Sequence, residues 1–419
     1  MKKLLNSLLL ITSFTFAQTY SWEALSAPPS LTGTTRYDDI FFLNENIGWA
    51  ARGGNGTVFK TTDGGANWTE QIISSQTGQY FRNIEFLNEN IGFLGTLNNN
   101  FYKTTNGGTT WTRVNNISPY PLAICGLDTV GVSTVYGCGA WFSPAYVIRS
   151  TDSGNTWKYI DMSEYASALV EVQFIDENVG FVSGSDEQGA VILKTTNGGD
   201  SWTKIYSAGD YGDYVWKMQI FPDNKTIFGS IESETQGKLL KTFDGGSTWQ
   251  TKDFPDPYVQ TVGFVSATHG WMGGHYSGFM ETFDGGNTWV NNDLGGSLNR
   301  IFFVNETTAF ASGNHIYKMT TTGLATNEVG NEKVQNLKIE VAPNPIKDQL
   351  NLNIHYIHSD HIIIGLYDLT GKFLGNILKD DIRQKGLKKY SIDFRYPAGE
   401  YLLGVHSNLG RQSIKIIKK

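Results

Sequence analysis

The sequence predicts an all-β chain, a seven-bladed β-propeller followed by a small C-terminal β-sandwich, and three observations carry that prediction. The composition is rich in Gly (47 residues), Phe (24), Tyr (20) and Trp (11), with few runs of Ala, Leu, Glu and Lys at helical spacing. One nine-residue box recurs six times, as in "KTTDGGANW" from Lys60 and "KTFDGGSTW" from Lys241, with its tryptophans 40 to 47 residues apart. That interval is the length of a propeller blade. A second pattern, as in "FLNENIGFLG" from Phe86, precedes each box and recurs seven times, weakly at Leu127 and Phe221.

In chain order, residues 1–17 have the layout of a signal peptide: Lys2 and Lys3, an apolar run from Leu4 to Phe16, then Thr15 and Ala17 before a cut. The run is too short to span a bilayer, and no later segment is long and apolar enough. An exported protein without a transmembrane segment, beginning near Gln18, is expected. A chain of 419 residues exceeds one ordinary core, which predicts two domains. Net charge is −7, yet residues 336–419 hold 13 Lys/Arg against 8 Asp/Glu, so the body before them is acidic. An acidic body argues against nucleic acid as a partner, because phosphate contacts need clustered Lys and Arg. Cys125 and Cys138 are the only cysteines. They exclude a dense disulfide framework, and a single bridge between them in the third blade is open but not required.

The propeller is assigned to residues 18–325. Each unit reads as four strands: an inner strand ending at the Phe of the second pattern, the "GF" strand, a strand ending in the box, and an outer strand starting at the Trp. In the boxes, Asp63, Asp152, Asp244 and Asp284 are placed to accept backbone N–H groups in a tight turn, as are the amide oxygens of Asn106 and Asn197. The rings of Trp68, Trp111, Trp157, Trp202, Trp249 and Trp289 are expected to bury between sheets, each contributing about 2–3 kcal/mol. These residues are read as structural. The seventh unit, "YKMTTTGL" from Tyr317, lacks the Asp and the Trp, while "YSWEALSAP" from Tyr20 has a Trp with no unit before it. Trp22 to Ser26 is therefore expected to supply the outer strand of the last blade and close the ring.

These repeats resemble the Asp-box (BNR-type) proteins and, more closely, the seven-bladed propellers of the photosystem II stability and assembly factor type. The resemblance covers about residues 22–324 and implies the fold; such propellers include sialidases, xyloglucanases, sorting receptors and assembly factors.

Ligands of propellers sit at the mouth of the central channel, where the inner strands begin. The loops there carry Tyr37, Tyr80, Phe81, Tyr120, Tyr165, Tyr211, Tyr214, Trp216 and Tyr258, aromatic faces suited to a peptide or a sugar. Aligning the inner strands puts Asp39, Asn83, Glu171 and Arg300 at one equivalent position, with Asp38, Arg82 and Lys217 beside it. The binding candidates are accordingly Tyr37, Tyr80, Phe81, Tyr120, Tyr165, Tyr214, Trp216, Tyr258, Asp39, Glu171 and Arg300. A binding scaffold for a protein or glycan is the first functional reading. The second is a glycan-active hydrolase, which needs two carboxylates facing each other across a sugar, drawn from Asp38, Asp39, Glu171, Asp210 and Asp213. No HExxH, GxSxG or phosphate-loop spacing occurs, so no catalytic residue, metal ligand or cofactor is assigned, and a monomer is expected.

Residues 326–336, "TNEVGNEKVQN", read as a linker. From 337 to 419 alternating strands separated by turns predict the β-sandwich. "PNP" at Pro343, "YDLTGK" at Tyr367, "PAGEYLL" at Pro397 and the terminal "SIKIIKK" resemble the type A C-terminal sorting domain of the Bacteroidetes type IX secretion system. That resemblance implies a partnership with the type IX machinery and delivery to the outer-membrane surface of a Gram-negative bacterium, or release.

Overall fold

The computed structural model describes residues 18–28, 31, 35–54, 56–72, 78–142, 144–323, 337–356, 360–368, 373–382, 386–407 and 410–419. The signal peptide and the linker lie outside the described residues. Among the described residues every regular element is a strand, and the strands form seven four-stranded sheets, one further four-stranded sheet and one three-stranded sheet. Two compact units result, one of Trp22–Thr320 and one of Thr321–Lys419 together with the residues up to Ser21.

The first unit is the propeller. Six blades are each made of four consecutive antiparallel strands, beginning with the inner strands Tyr37–Phe42, Phe81–Phe86, Gly126–Val130, Ala168–Phe174, Tyr214–Ile220 and Val259–Phe264. Blade seven is composite: Arg300–Phe303, Ala309–Ser312 and Ile316–Gly323 are followed outward by Gln18–Ala24 from the other end of the chain. Leu25 N donates to Ile316 O at 2.9 Å, and Trp22 stacks on Phe279 and meets Trp271 edge-on, both in blade six.

The two repeated patterns meet at the seams between blades. The Phe that ends one inner strand lies face to face with the aromatic of the preceding blade's second strand: Phe42 on Phe310, Phe86 on Trp49, Phe174 on Tyr136 and Phe264 on Phe228, with centroids 3.5–4.0 Å apart. The cation that opens a box reaches the next box. Lys60 donates to Gly107 O, Arg149 to Gly198 O, Lys241 to Gly285 O and Lys318 to Gly64 O. In blade six that position is Glu281, bonded to His269 and Asn292 of its own blade, and the next blade has no box to receive a lysine.

Inside each box the Asp or Asn behaves as a turn acceptor. Asp63 Oδ1 takes Asn67 N at 2.8 Å, Asp152 Oδ1 takes Thr156 N at 2.8 Å and Asn106 Oδ1 takes Thr110 N at 2.9 Å. The hydroxyl two residues earlier accepts the second glycine's N–H, as Thr61 does from Gly65. Full burial of the box tryptophans is not found: Trp202 is buried, whereas Trp68, Trp111, Trp157, Trp249 and Trp289 are half-buried. The outer strand is the exposed rim of a blade, so each ring covers a neighbour on one side only, as Trp289 does edge-on to Phe254.

The second unit is a sandwich. A sheet of Leu337–Val341, Gln349–Tyr356 and Gly386–Asp393 and one of Phe373–Ile382, Asp360–Asp368, Gly399–Ser407 and Gly410–Lys418 share a core of Leu350, Leu352, Ile354, Ile364, Leu403 and Ile416. Alternation places these residues on one face of each strand. Asn344 of "PNP" pins the last strand, donating to Lys415 O and accepting Ile417 N.

Candidate functional site

Five inner strands share an irregularity that positions the site. Across from the second strand, Tyr37 pairs with Arg52 but Asp39 with Ala51, leaving Asp38 as an extra residue. The same bulge makes Arg82, Val170, Trp216 and Gln260 extra in blades two, four, five and six. A bulged residue is freed from strand alternation and re-aimed. Here Asp38, Arg82, Trp216 and Gln260 all turn into one cavity of about 360 Å³, which Arg36, Tyr80, Tyr214, Glu232, Tyr258 and His275 also line.

Asp38 organises the floor of this cavity. Its Oδ1 accepts Arg36 Nε, its Oδ2 accepts Arg82 Nη1 at 2.9 Å, and Tyr80 Oη donates to Oδ1 at 3.2 Å. Asp38, Arg36 and Arg82 are all at most 5% exposed. Burial opposes ionisation of Asp38, but the two guanidinium groups and their hydrogen bonds hold its carboxyl below the usual range. Three donors of the cavity residues, Arg36 Nη1, Arg82 Nη2 and Trp216 Nε1, are buried without a hydrogen-bond partner among the described residues. Arg82 also lies 5.2 Å over the Trp216 ring. On the opposite wall Gln260 Nε2 donates to Glu232 Oε2 at 2.6 Å, and burial pushes the Glu232 carboxyl up to about 7 despite that bond and the nearby Arg36 and Arg82. Trp141 and Phe142, edge to face at 5.2 Å, stand exposed beside the opening, and Tyr214 Oη holds Trp141 O at 3.0 Å.

Of the sequence candidates, Tyr80, Tyr214, Trp216 and Tyr258 come together here. Tyr37 and Phe81 do not: each precedes a bulge, points into the blade interior and is fully buried, Tyr37 edge-on to Phe59 and Phe81 to Tyr102. Tyr120 accepts Phe101 N through its hydroxyl and carries Arg113 on its ring, and Tyr165 packs with the core between blades three and four. Asp39, Glu171 and Arg300 lie inside the channel. Asp39 accepts Ile84 N and pairs with Arg300, which also reaches Glu85; Glu171 pairs with Lys217. Asp39 thereby caps the inner edge of the neighbouring sheet, as Gln173 does for Met218 O and Gln219 for Phe264, while Glu171 and Arg300 form ion pairs between blades. Asp210 and Asp213 hold a turn together, Asp210 N donating to Asp213 Oδ2.

Cys125 and Cys138, whose bridging the sequence leaves open, are both free and buried. Gly126 faces Cys138 across the strand pair, so Cys125, one residue earlier, points to the other side of the sheet and lines the cavity. Sequence reasoning missed Arg36, Glu232, Gln260 and His275. The available signal was the broken alternation in "YDD", "FRN" and "VWK", where the residue after the buried aromatic or Val is the bulged one.

Comparison with known proteins fits this architecture. Residues 14–143 match the family model of the photosynthesis system II assembly factor YCF48, and residues 340–419 match that of the secretion system C-terminal sorting domain. The chain thus resembles the YCF48 family in the first part of its propeller and ends in a secretion-system sorting domain. Among solved structures, YCF48 from Cyanidioschyzon merolae is 19% identical with a TM-score of 0.57, over 71% of this chain and 98% of that one. YCF48 bound to D1 peptide is 16% identical with a TM-score of 0.55, over 72% and 97%. PorZ, a surface component of the type IX secretion system of Porphyromonas gingivalis, is 12% identical with a TM-score of 0.51; this chain spans 58% of its length and aligns over 90% of its own. No curated protein matches the sequence. The C-terminal sorting domain marks the chain for export to the cell surface or release, and among the described residues no helix is long and apolar enough to cross a membrane.

Proposed function

We propose that this exported propeller is a binding scaffold whose mouth takes a peptide segment bearing a carboxylate. The observation that carries this reading is that three residues lining one cavity, Arg36, Arg82 and Trp216, each keep a buried donor, Nη1, Nη2 and Nε1, without a hydrogen-bond partner among the described residues. Leaving buried donors unmade costs about 1–3 kcal/mol each, and an oxyanion answers all of them with charge-assisted bonds. The flanking rings of Tyr80, Tyr214 and Tyr258 offer apolar faces to the segment attached to that group. A propeller of the same fold is known bound to a peptide, which supports a peptide over a glycan.

The test is a peptide and glycan array probed with the exported chain and with Arg82→Gln and Trp216→Phe. Acidic peptides should be retained and lose at least about tenfold in affinity in either variant. Equal binding by both variants would move the site elsewhere. Selective retention and cleavage of a glycan would favour the hydrolase reading instead.

A further inference from the structure

Glu232 and Glu234 line the mouth and form no ion pair among the described residues, and of the two only Glu232 is withdrawn from solvent. Glu232 ends the strand Ile227–Glu232 of blade five and sits in the cavity wall with its Oε2 on Gln260 Nε2. Arg36 and Arg82 act on it across the cavity, yet both are tied to Asp38. An anion that settles on Arg36 and Arg82 therefore enters the same field that Glu232 feels, and two negative charges would compete for it.

We propose that binding of a carboxylate at the mouth takes up one proton, held on Glu232. This rests on the reading of the mouth as a carboxylate site and adds its linkage to pH. With Glu232 neutral, Arg36, Arg82 and Asp38 leave a net positive charge for the ligand. With Glu232 ionised that surplus vanishes, and affinity falls as pH rises. The proton comes from solvent and no bond is made or broken.

Glu232 faces charged and titratable groups from blades one, two, three, five and six. From blades one and two, Asp38 is held ionised, and burial and the Asp38 charge push the Tyr80 phenol up. From blade three, burial pushes the Cys125 thiol up to about 11. On blade five, burial likewise raises Tyr214, and Glu234 lies exposed two residues beyond. From blade six, Asp256 is bound by Tyr258 N, Tyr276 N and Ser277. His275 is lowered by burial and by Arg36, so it is already neutral where Glu232 changes state. Glu232 itself is pushed up to about 7 by burial.

Titration calorimetry on the whole exported chain, in two buffers of different ionisation enthalpy, reads proton uptake directly. The probes are acetyl-trialanine with a free terminus, its amide, acetyl-Ala-Glu-Ala amide and glucuronic acid. The free terminus and the glutamate distinguish the two sources of a carboxylate, the amide is the blank, and glucuronic acid reports a sugar acid. Wild type should take up close to one proton per acidic peptide at pH 8, with Kd rising about tenfold from pH 6.5 to 8. Glu232→Gln should bind with no uptake and a flat Kd. Uptake and slope that persist in Glu232→Gln would overturn the coupling while leaving the carboxylate site standing. Failure of every peptide to bind wild type at pH 6.5 would overturn both.

Discussion

Asp38 shows how one side chain serves folding and recognition together. It neutralises part of the charge of two buried arginines and, by fixing one nitrogen of each, leaves Arg36 Nη1 and Arg82 Nη2 free of partners. Asp38→Ala should destabilise the propeller by about 3–5 kcal/mol, since breaking a buried pair strands the opposite charge; urea unfolding measures this. The pH dependence has a definite sign. The folded-state carboxyl is held below its unfolded range, so its contribution is complete above about pH 4 and is lost as pH falls through the lowered value. Glu232 acts the other way: its folded value of about 7 exceeds the unfolded one, so native stability declines as pH rises between about 4.3 and 7. Melting curves of Glu232→Gln and wild type should converge at pH 4 and separate at pH 8, with the variant more stable. The box carboxylates of Asp152 and Asp244 are lowered to about 2 by side-chain and backbone bonds from Thr156 and Thr248, as expected of turn acceptors.

At the scale of strands and blades, the repeated motifs are largely seam chemistry. The Phe of the second pattern and the aromatic after "IG" belong to different blades and stack on each other, and the opening Lys of a box bonds the following box. Lys241 is buried and donates to Gly285 O at 2.6 Å; Lys241→Met should cost about 1–2 kcal/mol in unfolding free energy. Much of this level is legible in the sequence, because blade count, strand order and turn residues follow from a period and from local chemistry. The half-buried tryptophans were not legible, because burial depends on how far the outer strand projects. The bulges leave only a faint trace, a broken alternation that a period-2 reading passes over. A single inserted residue changes which side chain faces the channel, and period-2 reading places Tyr37 and Phe81 at the mouth where the bulge sends Asp38 and Arg82. The charged candidates Asp39, Glu171 and Arg300 fall at one equivalent position by alignment, but their partners come from neighbouring blades and have no signature in any one repeat.

For the whole molecule, the composite blade joins Gln18–Ala24 to Ile316–Gly323. Removing residues 18–26 would uncover Phe279 and Trp271, against which Trp22 packs, and expose a free sheet edge. The melting temperature should drop by several degrees, and a chain lacking these residues should bind an aggregation-sensitive dye; an unchanged melting temperature would show that the ring holds without them. Closing the ring pairs two segments about three hundred residues apart in the chain. Within every other blade the paired strands follow one another directly, so the last blade bears the largest loop-closure entropy and is expected to form last, after the six local hairpin sheets have set the positions of its two edges.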